Sequence, residues 1–232
     1  VTDAVIVSPA RTPIGTAFKG TLVDVDAYEL ATHVVREAVD RSGLDPALID
    51  DAVMGEQRYG GGDIARYAAL EAGLEHVAGV AHNRHCASGL AAVTTAAATI
   101  RAGMDEVVVA GGVESVSTMP RFLRRGPGTD DWADWQPPSH VDTPEAPNLD
   151  MSITVGWNAA VEAGVTREEM DAWALRSHQR AVAAIDAGAF VEEIVPIEVE
   201  RRDGTRTTFA VDEHPRRDTS MEKLAALKPL HP

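Results

Sequence analysis

A single cysteine, Cys86, among 232 residues leaves no partner for an internal disulfide. That fits a reducing compartment and leaves one free thiol to be explained. Positive charge is scarce as well: 21 Lys and Arg stand against 36 Asp and Glu, for a net charge of -15. Such a balance repels nucleic-acid phosphates and anionic membranes unless basic residues are locally concentrated, so neither is an expected partner. No apolar run approaches the roughly 20 residues of a membrane span, and the opening "VTDAVIVSPARTP" lacks a charged stretch leading into a hydrophobic one. The expectation is a cytoplasmic, globular protein whose 44% hydrophobic residues supply one large or two small cores. Neither G-x-S-x-G nor a Walker A pattern occurs, so the hydrolase elbow and the P-loop are not supported.

What is present in the first 115 residues is an alternation of short apolar runs and amphipathic stretches, the pattern of βαβ units on a mostly parallel sheet, hence an α/β fold. "AVIVSPA" (4–10) and "EVVVAGG" (106–112) read as buried strands, with "DDAVMGE" and "HVAGVAHN" as weaker candidates between them. In "DAYELATHVVREAVDRSG", Ala27, Leu30, Ala31, Val34, Val35, Ala38 and Val39 fall on one helical stripe. Asp26 with Glu29 forms a capping box at its start, and Gly43 is a stop. A second helix is predicted from about Ile64 to Glu71 and a third from near Cys86 to Ala102, ended by Gly103. The third carries almost no charge and mostly small side chains, so it is expected to be central and enclosed on nearly all sides.

The character changes after "GGVESVSTMP": residues 116–150 hold six of the 13 prolines and no sustained period, which predicts an ordered excursion or a flap. Regularity returns at Thr166, where T-R-E-E is a capping box. Met170, Trp173, Ala174, Ser177, Ala181, Ala184 and Ile185 then predict the buried side of a helix ending at Gly188. "IVPIEVERRDGTRTTFAV" reads as a hairpin turned on Asp203-Gly204.

Cys86 is predicted at a strand-to-helix junction, where unpaired N–H groups and the positive end of the helix dipole favour thiolate over thiol. Arg84 and His85 add positive charge nearby in the sequence. A buried structural cysteine is the competing reading. His82-x-x-His85-Cys86 could offer three metal ligands, but one cysteine and no second ligand pair argue against a metal. "GGGDIA" (60–65) has the G-x-G-x-x-A form of the dinucleotide fingerprint before a helix, which keeps an NAD-binding α/β domain as an alternative. Against it, "QRY" separates the strand end from the first glycine, so the tight strand-to-helix turn is missing. "RFLRRG" from residue 121 and "RRDTSMEK" (216–223) are basic islands in an acidic chain: solvated surface, or a seat for a phosphorylated ligand.

Together these stretches resemble the thiolase family, the acyl-CoA acetyltransferases. "SPARTPIG", "NRHCASGL", "AGGVESVSTMP" and "DEHPRRDTSMEKLAALKP" occur in the family's order and spacing, and the likeness runs along essentially the whole chain. The resemblance implies a five-layered α/β/α/β/α fold of two similar halves, with a loop domain inserted in the first. Residues 1–115 would be most of that first half and 116–232 the loop domain covering acyl-CoA. It implies Cys86 as the nucleophile that takes the acyl group, Met151 lining the acyl pocket, and Arg216 at the adenine-nucleotide end of CoA. No cofactor is implied, coenzyme A being a substrate, and the family suggests dimers or tetramers. The family usually has glutamine where His85 stands, and glycine, alanine and glutamate at Ser152, Val155 and Gly156, which leaves substrate length open. Its histidines and second cysteine belong to the other half, expected to begin soon after Pro232 in the same or another chain. The 232 residues alone are therefore expected to be inactive or nearly so. A related synthase and a non-catalytic acyl-CoA-binding protein are the remaining alternatives.

Overall fold

A computed structural model describes residues 3–59, 61 and 63–231. The chain forms two compact units: residues 1–120 with 189–214, and residues 121–188 with 215–232. A single cut at 115/116 puts 189–214 with the loop region, whereas those residues belong to the first unit.

The first unit is α/β, as the alternation predicts. Strands β1 (Asp51–Gly55), β2 (Val80–His82) and β3 (Val108–Gly112) form a parallel sheet in the order β2-β1-β3. Helices α1 (Ala27–Ser42) and α2 (Ile64–Glu71) pack together on one face, where Ala52 and Met54 of β1 join Ala31, Val35, Ile64, Ala68 and Leu74 in one buried cluster. Side chains alternate along a strand, so Val53 and Gly55 meet the opposite face, on which α3 (Ser88–Ala102) lies. The Asp26 side chain accepts the Glu29 N–H, and Gly43 closes α1 in the left-handed region at φ 67°.

Two expectations fail in this unit, for one reason. The weaker candidate "DDAVMGE" does form a strand, the central and most buried one, whereas 4–10, read as a buried strand, forms no ladder among the described residues. Val5, Ile6 and Val7 are 75%, 78% and 65% exposed. An apolar run becomes a buried strand only with neighbours on its edges and faces, and local sequence does not say whether they are there. Likewise α3 is buried only at Ser88, Ala91, Ala92 and Ala96, the side resting on the sheet, and Leu90 is 69% exposed.

The remaining part of the first unit is the predicted hairpin, β6 (Ile197–Glu200) antiparallel to β7 (Arg206–Phe209) with Gly204 at φ 81°. Ile197, Val199 and Phe209 pack on Val25 and Leu30, while Glu198 and Glu200 point outward. The Arg11 guanidinium ties this region to the N-terminal stretch. It donates twice to Asp212 (2.9 and 3.0 Å) and once to Glu193 (2.6 Å), and lies 5.2 Å over the Phe190 ring.

Burial opposes the charge on Asp212, but the Arg11 guanidinium and the Ile14 N–H outweigh it and hold this carboxyl below its usual range. A carboxyl depressed by folding contributes stability that is complete above its unfolded pKa and lost as pH falls through the folded one. Acidification below about pH 4 is therefore expected to remove this contribution. Asp212→Asn should be less stable at pH 7 and lose less on acidification, as read from urea midpoints across that range.

The second unit contains β4 (Leu123–Arg125) paired antiparallel with β5 (Trp132–Asp134), a π-helical stretch (Ser152–Trp157), α4 (Asn158–Ala163), α5 (Arg167–Asp186) and α6 (Met221–Ala225). The β4–β5 hairpin falls in the stretch without a period, where three-residue strands are too short to register as alternation. The Thr166 capping box forms in full, with Thr166 accepting from the Glu169 N–H and Glu169 accepting from Thr166. Thr166→Ala is expected to destabilise this unit by about 1 kcal/mol, visible in thermal unfolding followed by circular dichroism. The apolar side of α5 is not buried as its period predicts: no α5 residue is buried, and Trp173 is 68% exposed with the Arg176 guanidinium 4.1 Å over its ring. No described helix is long and apolar enough to cross a membrane.

Candidate active site

Strands β1, β2 and β3 run parallel and end together at Gly55, His82 and Gly112. The carboxyl edge of an open parallel sheet is where α/β folds place ligands. From β2 the chain takes five residues, 83–87, to enter α3, and Cys86 lies exposed in that turn.

The turn is strained and tightly held. His85 adopts φ 51°, the left-handed region that disfavours any side chain. Its N–H donates to Asn83 Oδ1 (3.0 Å), and its carbonyl accepts both the Ser88 N–H (3.0 Å) and the Ser88 hydroxyl (2.6 Å). Ser88 Oγ also accepts the Arg84 N–H (2.9 Å), and the Ala87 N–H donates to the Arg84 carbonyl (3.1 Å). Backbone strain of this kind persists only where the surroundings over-determine it, and such places cluster at functional sites.

Glycines seat α3 against the sheet. A Cβ on Gly55 would lie 2.4 Å from the Ser88 carbonyl carbon and 2.5 Å from the Gly89 nitrogen, and one on Gly112 3.0 Å from the Gly89 Cα. Only bare backbone at the strand ends lets the first turn of α3 approach so closely. Sequence reading missed this role, although a glycine at the end of an apolar strand is the sign of close backbone approach.

On the strand side, the Gln57 carbonyl accepts from Asn83 Nδ2 and Gln57 Nε2 reaches His85 Nδ1, both at 3.3 Å. Glu114 Oε2 accepts the N–H groups of Gln57 and Arg58, each at 3.1 Å. Among the described residues, Glu114 Oε1 and His82 Nε2 are buried without a hydrogen-bond partner. His82, His85 and Cys86 do not form a metal-binding group, and no such group of three occurs among the described residues. Two glycines of the "GGGDIA" fingerprint, Gly60 and Gly62, lie outside the described residues.

Met151 and Arg216 belong to the second unit. Met151 is 53% exposed and immediately precedes the π-helical stretch. Beside it, Asp150 Oδ1 accepts the Ser152 hydroxyl (2.5 Å) and the Ser152 N–H (3.0 Å). The Ser152 hydroxyl outweighs desolvation, with the Ser152 and Ile153 N–H groups adding to it, and holds the Asp150 carboxyl below its usual range. Arg216 is exposed and its backbone N–H donates to His178 Nδ1 (3.1 Å). Within this basic island Arg217 pairs with Asp186 and Lys223 with Asp218. The Arg216 guanidinium has no hydrogen bond among the described residues, though, after the Lys223 ammonium, its charge helps hold the Asp218 carboxyl below its usual range. In the other island Arg121 pairs with Asp134, Arg124 lies 5.5 Å over the Trp135 ring and Arg125 donates to the Thr129 carbonyl.

The first unit is thus a parallel α/β unit with one exposed thiol at the carboxyl edge of its sheet, on a strained turn before a helix. The family described as "Thiolase, N-terminal domain" matches residues 4–232, and the chain belongs to the thiolase family. It is 39% identical over 237 residues to an acetyl-CoA acetyltransferase of Pseudomonas aeruginosa, covering 98% of this chain and 59% of that protein. To a beta-ketoadipyl-CoA thiolase of the same organism it is 39% identical over 242 residues, covering 99% and 60%. The crystal structure of the Bacillus anthracis acetyl-CoA acetyltransferase superimposes with a TM-score of 0.84 at 38% identity, over 98% of this chain and 58% of that one. The chain thus spans about three fifths of the length of these relatives.

Proposed function

We propose that this polypeptide carries the acyl acceptor of an acyl-CoA acyltransferase, with Cys86 as the nucleophile. The observation that carries the reading is the exposed Cys86 on a strained turn at the sheet's carboxyl edge, directly ahead of the N–H groups of α3. Family membership and the names of the relatives support CoA thioesters as the substrate class.

In thiolysis the Cys86 thiolate adds to the 3-keto carbon of a 3-oxoacyl-CoA. The bond between C2 and C3 breaks, its electron pair leaves on C2 and takes a proton, and acetyl-CoA departs. The acyl thioester on Cys86 is then attacked by the thiol of a second CoA, which leaves as acyl-CoA and returns the Cys86 thiol. In the reverse direction an acetylated Cys86 meets the carbanion of acetyl-CoA. Covalent capture divides one difficult C–C cleavage into two easier steps, and backbone N–H groups at a helix start suit the oxyanion formed in each.

Met151 lines the acyl pocket and Arg216 contacts the adenine-nucleotide end of CoA in this reading, which gives the exposed guanidinium its purpose. No acid or base for the proton transfers is assigned among these 232 residues. The working enzyme is a cytoplasmic homodimer or homotetramer that needs no cofactor.

The test is direct. After incubation of the full-length protein with acetyl-CoA and proteolysis, the peptide bearing Cys86 is expected to carry an acetyl mass that hydroxylamine removes. A protein that binds CoA yet never shows that mass is a non-catalytic binder, and the proposal fails.

A further inference from the structure

Where β1 and β3 end, their last backbone groups lose the ladder and must be paired by other means. The Val113 N–H still donates to the Gly55 carbonyl at 3.0 Å. One residue further along, the Glu114 carboxylate takes over and gathers the Gln57 and Arg58 N–H groups on a single oxygen. These are charge-assisted bonds, stronger than the ladder bonds they follow.

We propose that Glu114 is the positioning residue of the Cys86 turn, acting through Gln57; this rests on Cys86 being the nucleophile. Gln57 spans from the loop that Glu114 pins to the turn that presents the thiol, and touches it twice. Its carbonyl holds the Asn83 amide, whose oxygen in turn accepts the His85 N–H, and its own amide nitrogen reaches the His85 ring. His85 is the left-handed residue of the turn and the immediate neighbour of Cys86. From the helix side the same residue is held by Ser88. The strained conformation is therefore clamped from two directions, and Glu114 anchors the clamp on the strand side.

The second oxygen of Glu114 is buried and unpartnered among the described residues, a cost of about 1–3 kcal/mol. Groups left unsatisfied in this way call for a functional explanation. A reacting sulfur displaced by even an ångström loses on the order of a hundredfold in rate, so fixing the turn matters more to chemistry than to binding.

The experiment compares Cys86 acetylation by acetyl-CoA in the full-length protein and in Glu114→Ala, Gln57→Ala and Glu114→Gln. Both alanine variants should slow acetylation by about 10- to 100-fold while the half-saturating acetyl-CoA concentration moves by less than about threefold. Glu114→Gln keeps an acceptor for both N–H groups and should return to within about threefold of the parent rate. Gln57→Ala removes only the contact with the His85 ring and keeps the backbone bonds to Glu114 and Asn83, so where Glu114→Ala does not fold its place is taken by Gln57→Ala combined with Asn83→Ala, which together break both contacts of Gln57 with the turn. Acetylation at the parent rate in Glu114→Ala or, in its place, in the Gln57→Ala and Asn83→Ala double variant, or a slowing matched by an equal rise in half-saturation, overturns the proposal. Should the parent itself fail to acetylate on Cys86, it is the nucleophile assignment that falls, a result separable from the first.

Discussion

Cys86→Ala in the full-length protein is expected to lower acyl transfer by about 10³-fold or more and to eliminate the acetyl-enzyme, because the substitution removes the sulfur that takes the acyl group. The exposed side chain adds nothing to the core, so the thermal midpoint should stay within about 2 °C of the parent. Cys86→Ser tests the same point from another direction. It preserves size, but a hydroxyl stays protonated near neutral pH where a thiol ionises in part, so transfer should remain far below the parent. The measurement is steady-state thiolysis with a 3-oxoacyl-CoA, run beside a melting curve for each variant. Transfer in Cys86→Ala within about tenfold of the parent would remove the covalent mechanism altogether.

The largest loss of stability is expected from a single methyl group at Gly55. Its Cβ would sit 2.4 Å from the Ser88 carbonyl carbon and 2.5 Å from the Gly89 nitrogen, and both obstacles are backbone, which no rotamer change relieves. Gly55→Ala must push α3 off the end of β1, at a cost of about 3 kcal/mol, the upper part of the overpacking range. For a chain of this size that lowers the unfolding midpoint by roughly 6–12 °C. Because α3 carries the Cys86 turn, acetylation should fall with it. Gly111→Ala is the control: an added Cβ there meets nothing within 4 Å, and stability should hold to within about 0.5 kcal/mol. Equal effects at the two positions would mean that the close seating of α3 is not what Gly55 provides.

Legibility from sequence followed how local each signal was. The α1 boundaries, the α2 span, the Thr166 capping box and the Asp203-Gly204 turn depend on a few adjacent residues, and all four stand in the structure as the sequence predicts. Burial was read less well. Val5 to Val7 and the Met170–Trp173 side of α5 are apolar enough for a core yet lie open, since burial requires a partner surface that period and composition do not describe. The placement of 189–214 with the first unit came from Ile197, Val199 and Phe209 meeting Val25 and Leu30, contacts spanning most of the chain.

The candidate site divides in the same way. Its lone thiol, the strand-to-helix position and the basic island around Arg216 were visible in the order of the residues, because each is a matter of type and neighbour. The left-handed turn at His85, the bare backbone at Gly55 and Gly112, and the hold of Glu114 on Gln57 were decided only by tertiary structure. They are relations between residues dozens of positions apart, brought together by a parallel sheet whose strands must end side by side. Sequence alone determined which atom could react; the packing of three strand ends against one helix decided where that atom stands and what holds it there.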